Sequence, residues 1–74
     1  MCEREKVVNA LIKIFKGHIE FTFIGDIWCK FQYNDKVFRV MYLSLLVEEC
    51  IDKYTLQSNN TTSRLEKHLK DEIK

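Results

Sequence analysis

The stretch from Ile19 to Tyr42 constrains the fold most, because it holds three runs in which an apolar residue recurs at every second position, interrupted twice by turn-forming pairs. Ile19, Phe21 and Phe23 alternate with Glu20 and Thr22 before Gly25-Asp26. Cys29, Phe31 and Tyr33 alternate with Lys30 and Gln32 before Asn34-Asp35, and Phe38, Val40 and Tyr42 follow with Arg39 between the first two. A period of two places successive side chains on opposite faces of a strand. Three such runs joined by tight turns predict an antiparallel meander.

A sheet with one buried face must keep its apolar residues in register, since a slip of one residue turns them to the other side. A two-residue turn at Asn34-Asp35 sets Phe31 opposite Phe38 and Cys29 opposite Val40. For the first hairpin, a two-residue turn would oppose Phe21 and Lys30 and mix the faces. A three-residue turn at Gly25-Asp26-Ile27 instead pairs Phe23 with Cys29 and Phe21 with Phe31. It also pairs Thr22 with Lys30 and Glu20 with Gln32 on the outer face, and this register is adopted.

Helical spacing flanks the meander. Val7, Val8, Leu11, Ile12 and Phe15 predict an amphipathic helix from about Glu3 to Lys16, with acids in its first turn, lysines in its last and Gly17 as its stop. Leu43, Leu46, Val47, Cys50, Ile51 and Tyr54 predict a second helix, with Ser44 as N-cap and Glu49–Lys53 as an exposed pair. After a polar connector, Ser63-Arg64-Leu65-Glu66 reads as a capping box opening a third helix towards Lys74. That helix carries only a narrow stripe of Leu65, Leu69 and Ile73. The expected fold is α+β: an N-terminal helix, a three-stranded antiparallel meander and two C-terminal helices, in one small domain over residues 1–74. The first two helices should cover the apolar sheet face. This element order is similar to that of some small phage-encoded inhibitors of bacterial defence, including certain anti-CRISPR proteins, although no residues match.

Composition narrows the chemistry. A chain of 74 residues has little room for a deep cleft between subdomains. Its net charge of +1 lacks the basic excess of a protein built on nucleic-acid phosphates. The two glycines and absence of a Walker or G-x-G-x-x-G loop leave no phosphate cradle. Cys2, Cys29 and Cys50 are odd in number and form no C-x-x-C pair, so they read as free thiols in a reducing, cytoplasmic compartment. Charged residues at 3–6 stand where a secretory signal would be apolar, and no run is long enough to span a membrane. The Asn-x-Thr matches at Asn59 and Asn60 carry no expectation of glycosylation in that compartment.

No catalytic, cofactor or metal set is spelled out. Glu48, Glu49 and Asp52 read as a solvated helix face, Cys29 as a buried core thiol and His68 as a solvated histidine. The unusual feature is the outer sheet face. The adopted register places Ile24, Trp28 and Met41 in a row at one end and Val37 at the other, with Thr22, Lys30 and Arg39 between. Tryptophan, methionine and arginine are enriched where proteins meet. The third helix could instead fold back to cover this row.

The leading expectation is a non-enzymatic protein-binding module using Trp28, Lys30, Arg39, Met41 and Ile24. The absence of proline and the abundance of Ile, Lys and Asn point to an AT-rich genome and suit an inhibitor of a host defence protein encoded by a phage or mobile element. The alternative is a small nucleic-acid-binding regulator in which Trp28 stacks a base and Lys30 and Arg39 hold phosphates. A third reading, an enzyme with Cys2 or Cys29 as nucleophile, has less behind it. A homodimer is also expected, through the first strand or the third helix.

Overall fold

Each turn signal in the central stretch closes a hairpin, but the sheet does not stop at three strands. The computed structural model describes residues 3–73. The elements are α1 (Glu3–Ile14), β1 (Glu20–Ile24), β2 (Trp28–Tyr33), β3 (Lys36–Met41), β4 (Val47–Cys50), β5 (Leu56–Gln57) and α2 (Asn60–Ile73). The five strands lie in the order β1-β2-β3-β4-β5, antiparallel throughout, and both helices share the inner face. The expected arrangement of three strands and two C-terminal helices is therefore corrected to five strands and one C-terminal helix. The analogy of element order with phage inhibitors falls with it.

Helix α1 buries Val7, Ala10 and Leu11 on the sheet. It ends in paired bonds from Lys16 N to Lys13 O and from Gly17 N to Ile12 O, the Schellman pattern. Lys16 occupies the left-handed position at φ 55°, and Gly17 follows at φ 80°.

Between β2 and β3, Asn34 and Asp35 take φ of 50° and 63°, the mirror-image turn that suits the twist of a hairpin. The pairs Phe31–Phe38 and Cys29–Val40 form as expected. The first hairpin differs. Glu20–Gln32 and Phe21–Phe31 pair as expected, but a bulge at Thr22 then sets Phe23 opposite Lys30 and Ile24 opposite Cys29. One extra residue in the strand thus turns Phe23 outward and Ile24 inward.

The segment read as a second helix spends its helical spacing on a single turn. Leu45 N bonds Met41 O, Leu45 adopts φ 59°, and the chain then runs extended as β4. Pairing with β3 satisfies a ladder of amides and carbonyls that a helix at this point would have left open. Val47 enters the core opposite Val40, whereas Leu43 and Tyr54, the ends of the supposed stripe, are exposed.

Helix α2 starts earlier than the Ser63 box. Asn59 Oδ1 accepts from Thr62 N and Thr62 Oγ1 accepts from Asn59 N, so the cap is Asn59. Glu66, freed from capping, accepts from the amide of Val47 at 2.9 Å and ties the helix to β4. Thr62, Leu65 and Leu69 are buried beside Val7, Leu11, Phe31 and Val40, so this helix neither crosses the outer face nor offers its stripe to a twin.

Candidate functional site

With both helices on the inner face, no element among the described residues covers the outer one. The bulge and the β2–β3 register together determine what stands there. Trp28 lies opposite Met41, Lys30 opposite both Phe23 and Arg39, and Arg39 opposite Glu48. The rings of Phe23 and Trp28 are 4.7 Å apart at a tilt of 38°. Phe23 also lies over Gly25, where a Cβ would stand only 2.5 Å from its ring. A side chain at this position would have to push that ring aside.

Two cations border the indole. Lys30 Nζ is 5.4 Å and the Arg39 guanidinium carbon 5.7 Å from the Trp28 ring centre, both within cation–π range. Lys30 and Arg39 are directly opposite, which costs energy between like charges. The ring relieves that repulsion, and so does the close ion pair between Arg39 and Glu48. Arg39 Nε remains buried beneath its neighbours with no hydrogen-bond partner. Beyond this charged centre, Val37, Cys50 and Leu56 continue the face as a smaller apolar row.

Four of the five expected contact residues, Trp28, Lys30, Arg39 and Met41, come together here. Ile24 does not join them, because the bulge pairs it with Cys29 on the inner side at the sheet margin. Phe23 takes its place, 48% exposed. Thr22, expected opposite Lys30, is the extra residue of the bulge. Two contributors escaped the sequence reading: Phe23, assigned to the core, and Glu48, assigned to a helix. A signal for Phe23 was present in Gly25 two residues on, since a glycine at a strand end beside an aromatic residue marks a close approach of the ring.

The other chemical readings fare differently. Cys29 is fully buried, and desolvation pushes its thiol up to about 11 against a weaker opposing pull from the Tyr42 hydroxyl. A protonated, inaccessible sulfur does not serve as a nucleophile. Cys2 lies outside the described residues. Glu48, Glu49 and Asp52 do not share a face: Glu48 holds Arg39, Glu49 accepts from Asn59, and Asp52 closes the β4–β5 loop. Among the described residues no three His, Cys, Asp or Glu side chains gather as a metal site, and no helix is long and apolar enough to cross a membrane. Comparison with protein-family models, curated proteins and solved structures returns no significant match.

Proposed function

We propose that the chain is a non-enzymatic protein-binding module that meets its partner through the outer face of its sheet. The observation that carries this reading is the Phe23–Trp28 pair, held in place on an uncovered face beside Met41 and an ion-paired Arg39. Stiff aromatic anchors ringed by polar groups contribute most of the energy in protein interfaces and lose little entropy on docking. The proposed setting is a cytoplasm, where the thiols stay reduced, and the proposed role is that of a phage or mobile-element inhibitor of a host protein. That role rests on residue usage alone.

The nucleic-acid alternative uses the same residues but finds less support in their arrangement. Glu48 neutralises Arg39, and Glu20 stands further along the same face. Trp28 already has Phe23, Lys30 and Arg39 against it. Lys30, the one cation of this face in no salt bridge among the described residues, is by itself a poor phosphate track.

Affinity capture from host extracts with the wild-type chain and with Trp28→Ala, Arg39→Ala and Gly25→Ala variants tests the reading. A protein retained by the wild type should be lost or at least tenfold weaker with Trp28→Ala, as at an interface anchor worth about 2 kcal/mol or more. Gly25→Ala should weaken it too, through the displaced Phe23 ring. Capture that is indifferent to all three changes would refute the outer face as the contact surface. Salt-sensitive binding of oligonucleotides that Trp28→Ala abolishes would replace the reading with its alternative.

A further inference from the structure

A second concavity lies on the helical side, between the end of α1, one face of α2, the end of β2 and the middle of β3. Its volume is about 490 Å³, within the range of pockets that hold drug-sized molecules. Phe15, Tyr33 and Phe38 form its aromatic floor, with the rings of Phe15 and Tyr33 only 4.6 Å apart. Thr61, Arg64 and His68 stand along one stripe of α2 at its rim, and no carboxylate lines it. Among the described residues neither Arg64 nor His68 enters a salt bridge, whereas the other two arginines, Arg4 and Arg39, both do. Glu49, opposite Phe38 on β4, is engaged by the side-chain amide of Asn59.

We infer that this concavity binds a small organic carboxylate whose hydrocarbon or aromatic body rests on the Phe15–Tyr33–Phe38 floor and whose anion meets Arg64 and His68. The guanidinium fork matches a carboxylate with two parallel bonds, and the imidazole N–H of His68, one turn along α2, is a donor for a remaining lone pair. One permanent cation suits a monoanion better than a phosphate ester, and the aromatic floor requires an apolar body. From Thr61 to His68 the rim runs about 10 Å along the helix, the length of a medium-chain acid rather than of an extended peptide. The site lies on the opposite layer from the proposed protein-contact face and does not depend on it.

Octanoate is the probe and octanol its neutral counterpart, each titrated into the isotope-labelled full chain and followed by amide and side-chain resonances. Octanoate should give saturable shifts at Phe15, Tyr33, Thr61 and His68, with octanol roughly tenfold weaker, the factor expected of one charge-assisted contact. The double variant Arg64→Gln/His68→Gln changes only exposed side chains and should bind both probes equally weakly. Arg64→Gln alone gives a second test if the double variant loses its circular-dichroism spectrum. Absence of saturable shifts, equal binding of octanol, or an anion preference that survives the substitutions would each overturn the inference. The same would follow if the capped tripeptide Glu-Phe-Glu bound more tightly than octanoate, which would make the groove a peptide site. Resonances there that moved with protein concentration alone would place a second copy in the groove and overturn it as well.

Discussion

At the scale of single residues, two backbone positions show how local chemistry sets the ends of the elements. Lys16 holds the left-handed position of the α1 cap, where an L side chain crowds its own backbone and glycine does not. Lys16→Gly should therefore stabilise the chain by about 0.5–1 kcal/mol, the relief of that crowding less the greater freedom of glycine in the unfolded state. A denaturation midpoint equal to or below wild type would contradict this account of the cap. Glu66 acts across elements by accepting from the amide of Val47, a buried residue of β4. Glu66→Ala leaves that amide without its partner and should cost about 1–2 kcal/mol in chemical denaturation. Glu66→Gln, which keeps an acceptor oxygen, should cost visibly less.

At the scale of elements, what could be read in advance was what is marked locally. Helix α1 has its apolar stripe, its acidic start and its glycine, and β1 to β3 have alternation with turn pairs between them. The β4 segment carries no such mark, because Leu43 to Tyr54 has helical spacing and becomes a strand only through the open edge of β3. That is a tertiary override of local pattern. The start of α2 was obscured by two overlapping capping signals, and Asn59–Thr62 prevailed while Glu66 found Val47. Of the contact face, Trp28, Lys30, Arg39 and Met41 followed from register alone. Phe23 and Ile24 exchanged faces through a bulge that alternation cannot reveal. The β4–β5 connection is secured by Asp52, whose carboxylate accepts from the amides of Tyr54 and Thr55 at 2.8 and 2.9 Å. Those bonds hold its pKa below the ordinary 3.8, the Tyr54 amide contributing most. A lowered folded pKa means that the carboxylate's contribution is present above the ordinary value and is lost as pH falls through the folded one. The Tyr54 and Thr55 amide resonances should accordingly titrate together with a midpoint below 3.8. A midpoint at or above that value would separate the loop from this carboxylate.

At the scale of the whole molecule, the two layers leave β1 as a margin of the sheet with an unpaired ladder. The homodimer expected from the sequence retains one of its two routes, since the Leu65–Leu69 stripe is spent on the core. Closed two-fold pairing of β1 with its copy would satisfy that ladder, although the bulge at Thr22 restricts the paired length. Light scattering should show a mass that rises towards two chains with concentration, and Thr22→Pro should hold it at one. A mass of one chain at every concentration would mean that the bulge alone protects the edge. The strand order has a kinetic corollary as well. Every strand pairs with its neighbour along the chain, whereas α1 and α2 come from opposite ends and meet at Lys13 and Glu72. Hairpins close small loops cheaply, while joining the two helices closes nearly the entire chain. The rate-limiting step should thus be crossed with the β2–β3 hairpin formed and the helices still undocked. In stopped-flow kinetics, Val40→Ala should slow folding, and Leu69→Ala should chiefly speed unfolding. The reverse pattern would give the lead to the helices. A chain that assembles its sheet first exposes the Trp28 face from the earliest moment of folding, before the inner face has its roof.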